Sequence, residues 1–219
     1  MSIHRRSTKA RQGVAIMEFT FSLVFLIPLL LGVFIFGFKL IRSLEMTQVT
    51  RDLGNMYLRG VDFRGAGAQQ TAQTLAEDYN MTATGTSVAI LSKVKLITAG
   101  DCTAANAVAP VAAGNSCANI GKLVFMEQLL VGNTGAGSSH FGAPPVQPAS
   151  CTPIAAGTPC VYTVTIKDLG RNANAQTTAF PMVLNAGEFA YVAEMVNQTP
   201  DLNIPGLSGG PLVYARAIF

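Results

Sequence analysis

Few residues in this chain are of a type that supports chemistry: two histidines, four cysteines, the adjacent Ser138 and Ser139, and a carboxylate, Glu18, at the rim of an apolar run. His4 lies among the first 13 residues and His140 in a Gly/Ser-rich stretch. Serines beside a histidine in sequence do not make a triad, which needs an orienting acid and an oxyanion hole assembled in space. The segment GNTGAGSS (132–139) has glycines but no lysine to reach a phosphate. Acids occur singly apart from Glu77-Asp78, which suits the cap of a short helix. The cysteines form no C-x-x-C, whereas metal ligands usually come at short spacings. The expectation is therefore a non-enzymatic chain with no catalytic residues, no metal and no cofactor.

Glu18 is the informative residue. It precedes FTFSLVFLIPLLLGVFIFGF, residues 19–38, an uncharged run of 20 residues. A helix of that length rises roughly 30 Å, about the thickness of a bilayer's hydrocarbon core. A carboxylate at the edge of a spanning segment is costly and asks for a partner. Cleavage after Gly13 makes Val14 a new N-terminus and Glu18 the fifth residue of the shortened chain. The liberated amine, with a pKa near ~8, is mostly protonated at neutral pH. In a bundle of helices, Glu18 of one subunit can meet the amine of its neighbour, which offsets two charges that are each expensive alone.

Charge distribution sets the topology. The net charge of +3 conceals an asymmetry, because Arg5, Arg6, Lys9 and Arg11 fall in the first 13 residues with no acid among them. The remainder holds 11 basic and 12 acidic side chains, which leaves no basic patch of the nucleic-acid kind. Lys39 and Arg42 follow the apolar run but are outnumbered by the basic residues before it, so the positive-inside rule puts residues 1–13 in the cytoplasm. No small-x-small cleavage site follows the run.

A short basic leader, Gly13, the four residues Val14 to Met17, Glu18, Phe19 and a long apolar helix together resemble a class-III prepilin signal. The end of the chain is similar to the closing segment of the TadE-like family, with GEFAYVAEMVNQTPDL, a Pro/Gly-rich loop and then YARAIF. Phe19 stands where the small major pilins of that system usually carry Tyr, which favours a minor component. The resemblance implies a minor pilin or pseudopilin of a Tad-type pilus, active in assembly, adhesion or surface attachment. Gly13 and Val14 become its processing site, and Glu18 and Phe19 the site that neutralises a neighbour's N-terminus. Its implied partners are a prepilin peptidase, other pilin subunits, the Tad inner-membrane machinery and the lipid bilayer. The implied location is the inner membrane, single-pass, with a periplasmic head that is extracellular once assembled. The alternative is an uncleaved single-pass anchored periplasmic protein, a pilus anchor or sensor head.

The elements that must position these residues follow from periodicity. Residues 39–60 lack proline and repeat apolar residues at helical spacing (Leu40, Leu44, Val49, Leu53, Met56, Tyr57), which predicts one helix from Val14 to Arg59 ended by Gly60. A shorter helix is expected over 68–80, with Ala72, Leu75, Ala76 and Tyr79 on one side. Strands are expected at 87–97, 122–131, 160–167, 188–197 and 212–219 from their alternation and β-branched content. The fold class is α+β: a leader (1–13), a transmembrane and continuing helix (14–60), and a pilin-like head (61–219) with an antiparallel sheet. Four cysteines allow three pairings. Local pairing, Cys102 with Cys117 and Cys151 with Cys160, staples each long loop and suits an oxidising exterior. Glu194 and Arg216 fall in the last two strands, either paired across them or separately solvated.

Overall fold

A computed structural model describes residues 8–102, 117–144, 160–163, 173–198 and 212–219. Its elements are α1 (Thr8–Leu58), α2 (Ala66–Leu75), β1 (Ser87–Leu96), β2 (Leu123–Gly132), β3 (Cys160–Thr163), β4 (Phe189–Gln198) and β5 (Leu212–Ile218). The chain divides into two compact units, Met1–Arg42 and Ser43–Phe219. The α+β class expected from the sequence is observed, with a long apolar helix ahead of an antiparallel sheet.

Helix α1 is one continuous element of 51 residues with Pro28 inside it. It starts six residues before the expected Val14. Lys, Ala, Arg and Gln are strong helix formers, and nothing in Thr8–Gly13 breaks a helix propagating back from the apolar run. In the first unit its large apolar side chains are exposed, Phe25 at 74% among them. By length and composition the helix can cross a membrane.

From Ser43 onward the helix becomes two-faced. Met46, Leu53 and Tyr57 are buried in the head, while Leu44, Glu45, Gln48, Arg51 and Asp52 stay exposed. Its end is a Schellman motif. The Gly60 N–H donates to the Tyr57 carbonyl and the Val61 N–H to the Met56 carbonyl, each at 3.0 Å. Gly60 has φ +80°, a conformation that costs glycine little, and Val61 and Met56 both pack against the head's core. The expected stop at Gly60 is thus observed.

The second helix differs from expectation. It covers Ala66–Leu75 and not 68–80, because the chain leaves the helix at Ala76 and closes a turn with Tyr79 N–H on the Ala76 carbonyl at 2.8 Å. Ala72, Ala76 and Tyr79 still reach the core as anticipated, but Leu75 is 40% exposed.

The five strands form one antiparallel sheet in the order β3-β2-β1-β4-β5. Strand boundaries fall within a residue of the expected ones, save that residues 164–167 lie outside the described residues. β1 is central and buried along most of its length, as expected of a strand covered on both sides. One face carries Ala89, Leu91, Leu129, Val131, Ala193, Met195 and Ala215 against α1 and α2. The other carries Val88, Ile90, Leu130 and Val196 under the 133–144 loop. A register shift at Lys93/Val94 bulges β2 near Met126.

Beyond β1, Thr98 and Asp101 cap each other: Thr98 N–H donates to Asp101 at 2.9 Å and Asp101 N–H to Thr98 Oγ1 at 3.3 Å. Burial works against the charge on Asp101. The hydrogen bonds from Lys95 and Thr98 outweigh it and leave the carboxyl below its usual range. This turn delivers Cys102 to Cys117, and the two form the expected disulfide. The second expected bond, Cys151 to Cys160, lies outside the described residues.

Gly54 seats α1 on the sheet. A Cβ at this position meets the Phe219 ring and stands 3.0 Å from the Ala193 Cβ. Replacing Gly54 with Val should therefore lower head stability by roughly 1–3 kcal/mol despite the better helix former, because the added atoms have no room. Chemical denaturation of the detergent-solubilised chain, followed by circular dichroism, measures the difference; an unchanged midpoint contradicts the seating described here.

Candidate functional site

Two places in the molecule hold polar groups in unusual surroundings. The first is the start of α1. Gly13 and Val14 belong to its helical backbone. Glu18 and Phe19 follow on the same helix, both exposed. Glu18 has no hydrogen-bond or ion-pair partner among the described residues, whereas the neighbouring Thr20 hydroxyl donates to the Ile16 carbonyl at 2.8 Å. Thus all four N-terminal residues singled out by the sequence sit within two turns of one helix. The carboxylate is the group left to interact with something else.

The second place lies in the head, around Glu194. Alternation along β4 puts Val192, Glu194 and Val196 on the sheet face opposite α1, and Glu194 is 1% exposed. An ionised carboxylate in such a position needs several donors. The 133–144 loop and β5 supply them. The Ser139 hydroxyl donates to Oε2, the His140 backbone N–H to Oε1 at 2.9 Å, and the Tyr214 hydroxyl to Oε1 at 2.7 Å. Phe141 N–H in turn donates to Ser139 Oγ at 3.1 Å, which orients the hydroxyl toward the acid. The His140 ring stacks on the Tyr214 ring with centroids 4.0 Å apart.

Burial, then the hydrogen bond to Glu194 and its negative charge, push the Tyr214 phenol above its ordinary value of 10.0. Arg216 faces Glu194 directly in the β4–β5 register, yet the hydrogen bonds on the carboxylate come from these other groups, and the guanidinium lies 5.7 Å from the centre of the Phe141 ring. Of the two arrangements the sequence left open for Glu194 and Arg216, neither describes the acid, which is buried and held by the loop.

The chemistry of this cluster is that of a latch. His140 contributes its backbone and a ring face, so the Ser139 hydroxyl is bound to a carboxylate and not to an imidazole base. Among the described residues no three His, Cys, Asp or Glu side chains are grouped to hold a metal ion. Sequence reasoning missed the latch, although a signal was present: an acid inside the apolar strand YVAEMV has to find donors somewhere.

The fold and these two places define a class: a chain with, among its described residues, one helix long and apolar enough to cross a membrane, and an α+β head whose buried acid fastens a loop. Comparison with protein-family models, with curated proteins and with solved structures found no match for this chain.

Truncating Glu194 to Ala strands three donors and should cost on the order of 3 kcal/mol of stability in chemical denaturation. A loss near zero contradicts the latch. Tyr214 gives a separate, alkaline signature. Above pH 10 the unfolded chain releases the phenolic proton while the folded chain keeps it, so the contribution present below that pH declines as pH rises. Tyr214→Phe should flatten this decline in denaturation midpoints measured from pH 8 to 11.

Proposed function

We propose that the chain is a TadE-like subunit, a non-enzymatic minor pilin or pseudopilin of a Tad-type pilus. In this reading a prepilin peptidase cuts after Gly13 at the cytoplasmic side of the inner membrane. The head stands in the periplasm, and the Tad machinery then assembles the subunit with other pilins. The observation that carries the reading is Glu18, exposed and without a partner among the described residues, near the start of an exposed apolar helix.

The mechanism is physical. Before cleavage, four cytoplasmic positive charges oppose extraction of the helix from lipid. After cleavage one terminal ammonium replaces them, and Glu18 of a neighbouring subunit neutralises it. The apolar surface of α1 then exchanges lipid contacts for helix–helix packing. Cleavage converts an anchor into a building block.

A second reading is favoured by one structural detail. The helical backbone runs unbroken through Gly13 and Val14, and a helical peptide bond must unwind before a peptidase can reach it. In that reading the leader stays and the chain is a permanent membrane anchor with a periplasmic head.

Intact-mass analysis of protein recovered from membranes and from sheared surface material separates the two. A chain starting at Val14 supports the pilin reading, and one starting at Met1 or Ser2 in cells that make functional fibres overturns it. Gly13→Glu should leave a full-length precursor of lower gel mobility than wild type. Glu18→Ala should leave membrane insertion intact and reduce recovery in sheared fibres; normal piliation by that variant removes the pairing mechanism.

A further inference from the structure

Strand β5 closes the sheet on one side, and its backbone parity identifies which groups remain on offer. Tyr191 and Phe219 exchange both backbone hydrogen bonds, Tyr191 N–H to the Phe219 carbonyl at 3.0 Å and the reverse at 2.9 Å. Stepping by two along the register makes Val213, Ala215 and Ala217 the residues that bond to β4. The N–H and C=O groups of Leu212, Tyr214, Arg216 and Ile218 therefore point away from the sheet. Among the described residues no hydrogen bond reaches that edge. An open edge of this length is a template for another strand.

The side chains along this edge select the strand. Laid antiparallel against a second copy of itself and centred on Ala215, β5 sets Leu212 opposite the partner's Ile218 and Tyr214 opposite the partner's Arg216. Apolar faces apolar, and each guanidinium lies beside an aromatic ring, a favourable cation–π arrangement. All four outward residues are paired. A shift of one residue per strand in one direction sets Ile218 opposite a position outside the described residues and Tyr214 against the partner's Tyr214, which separates the ring from the guanidinium. The opposite shift sets Arg216 directly against the partner's Arg216. Leu212 and Arg216 are exposed and Tyr214 is half-buried, so the groups needed are accessible.

We infer that β5 is a docking edge for a second copy of this chain, joined antiparallel in the register that opposes Tyr214 and Arg216. The contact is isologous and closes on a twofold axis, so it makes a pair and not a fibre. It goes beyond the assembly reading above and has its own geometry. Gly54 lies against Ala193, and Tyr57 meets Tyr191 with ring centroids 5.4 Å apart, so the head portion of α1 runs opposite to β4 and along β5. Antiparallel pairing of β5 then directs this portion of α1 oppositely in the two copies.

Cysteine cross-linking in full-length, detergent-solubilised protein tests this. In the inferred register Val213 faces the partner's Ala217 across a pair with Cα atoms about 4.5 Å apart, within disulfide reach. Val213 is four residues away from the partner's own Val213, roughly 13 Å along the strand and out of reach. A mixture of Val213→Cys and Ala217→Cys chains should yield a disulfide dimer, and that yield should fall to background in either variant alone. Peptide mass analysis should show position 213 linked to 217. The exposed-side pair Leu212→Cys with Ile218→Cys tests the same register if a core-facing cysteine perturbs folding. A folded protein giving no dimer with either pair, or giving as much dimer in single-variant samples, overturns the inference. N-terminal processing is read independently by mass, so either idea can fail without the other.

Discussion

The head depends on one contact, the seating of α1 on β4. Helix and strand approach where neither has a large side chain, Gly54 on one and Ala193 on the other, with the Phe219 ring filling the space beside them. That closeness lets Met46, Leu53 and Tyr57 sink into the same core as Leu91, Leu129 and Met195. The burial available there is substantial, since each large apolar side chain removed from water contributes roughly 1.5–3 kcal/mol before the cost of ordering the chain. It also fixes which face of every strand is apolar, because a slip of one residue would turn Ala193 and Met195 away from the helix.

The opposite face is finished differently. It carries two apolar clusters, one around Val88, Ile90 and Val196 and one around Val94, Phe125, Phe141 and Val192, and a loop lies over it where the other face has two helices. The loop buries Ala136 and Phe141 there, and polar bonds with defined geometry add to its hold. Glu194 takes that role by gathering donors from the loop and from β5. Gln128 adds to the same covering, with Nε2 donating to Ser92 Oγ at 3.1 Å and to the Gly142 carbonyl at 3.2 Å. Gln198 reaches the Ala136 carbonyl at 2.7 Å. Acid and amides sit in a region where an unpaired polar group is expensive, so the loop is held by the penalty for its departure.

Much of this was legible in the sequence because the signals are local. Apolar residues at helical spacing followed by Gly60 announce the end of α1, and alternating apolar residues announce β1, β2, β4 and β5 to within a residue. The apolar run and Glu18 needed no tertiary information either. What stayed hidden depends on long-range approach. The donors to Glu194 on the loop stand 54 and 55 residues from it in sequence, and only the path of the 133–144 loop over the sheet brings them close. The early end of α2 escaped for a related reason. Ala76 and Tyr79 reach the core through turns, so the apolar spacing persisted after the helix had stopped. Likewise, the opposition of Glu194 and Arg216 is correct in register, but register alone does not say which donors reach a buried acid.

The antiparallel course of α1 over β4 has a mechanical consequence. Tension applied along the helix enters the head through Met46, Leu53, Gly54 and Tyr57, and passes first to β4 and then to β1, its hydrogen-bonded neighbour. Such a pull slides helix along strand, so the interlocked side chains resist together and do not peel away one at a time. β3, at one margin of the sheet, is loaded only through its neighbour, whereas β5 shares part of the load because Ala215 lies in the same core as the helix. Force is thereby delivered to the middle of the sheet, its best-supported part.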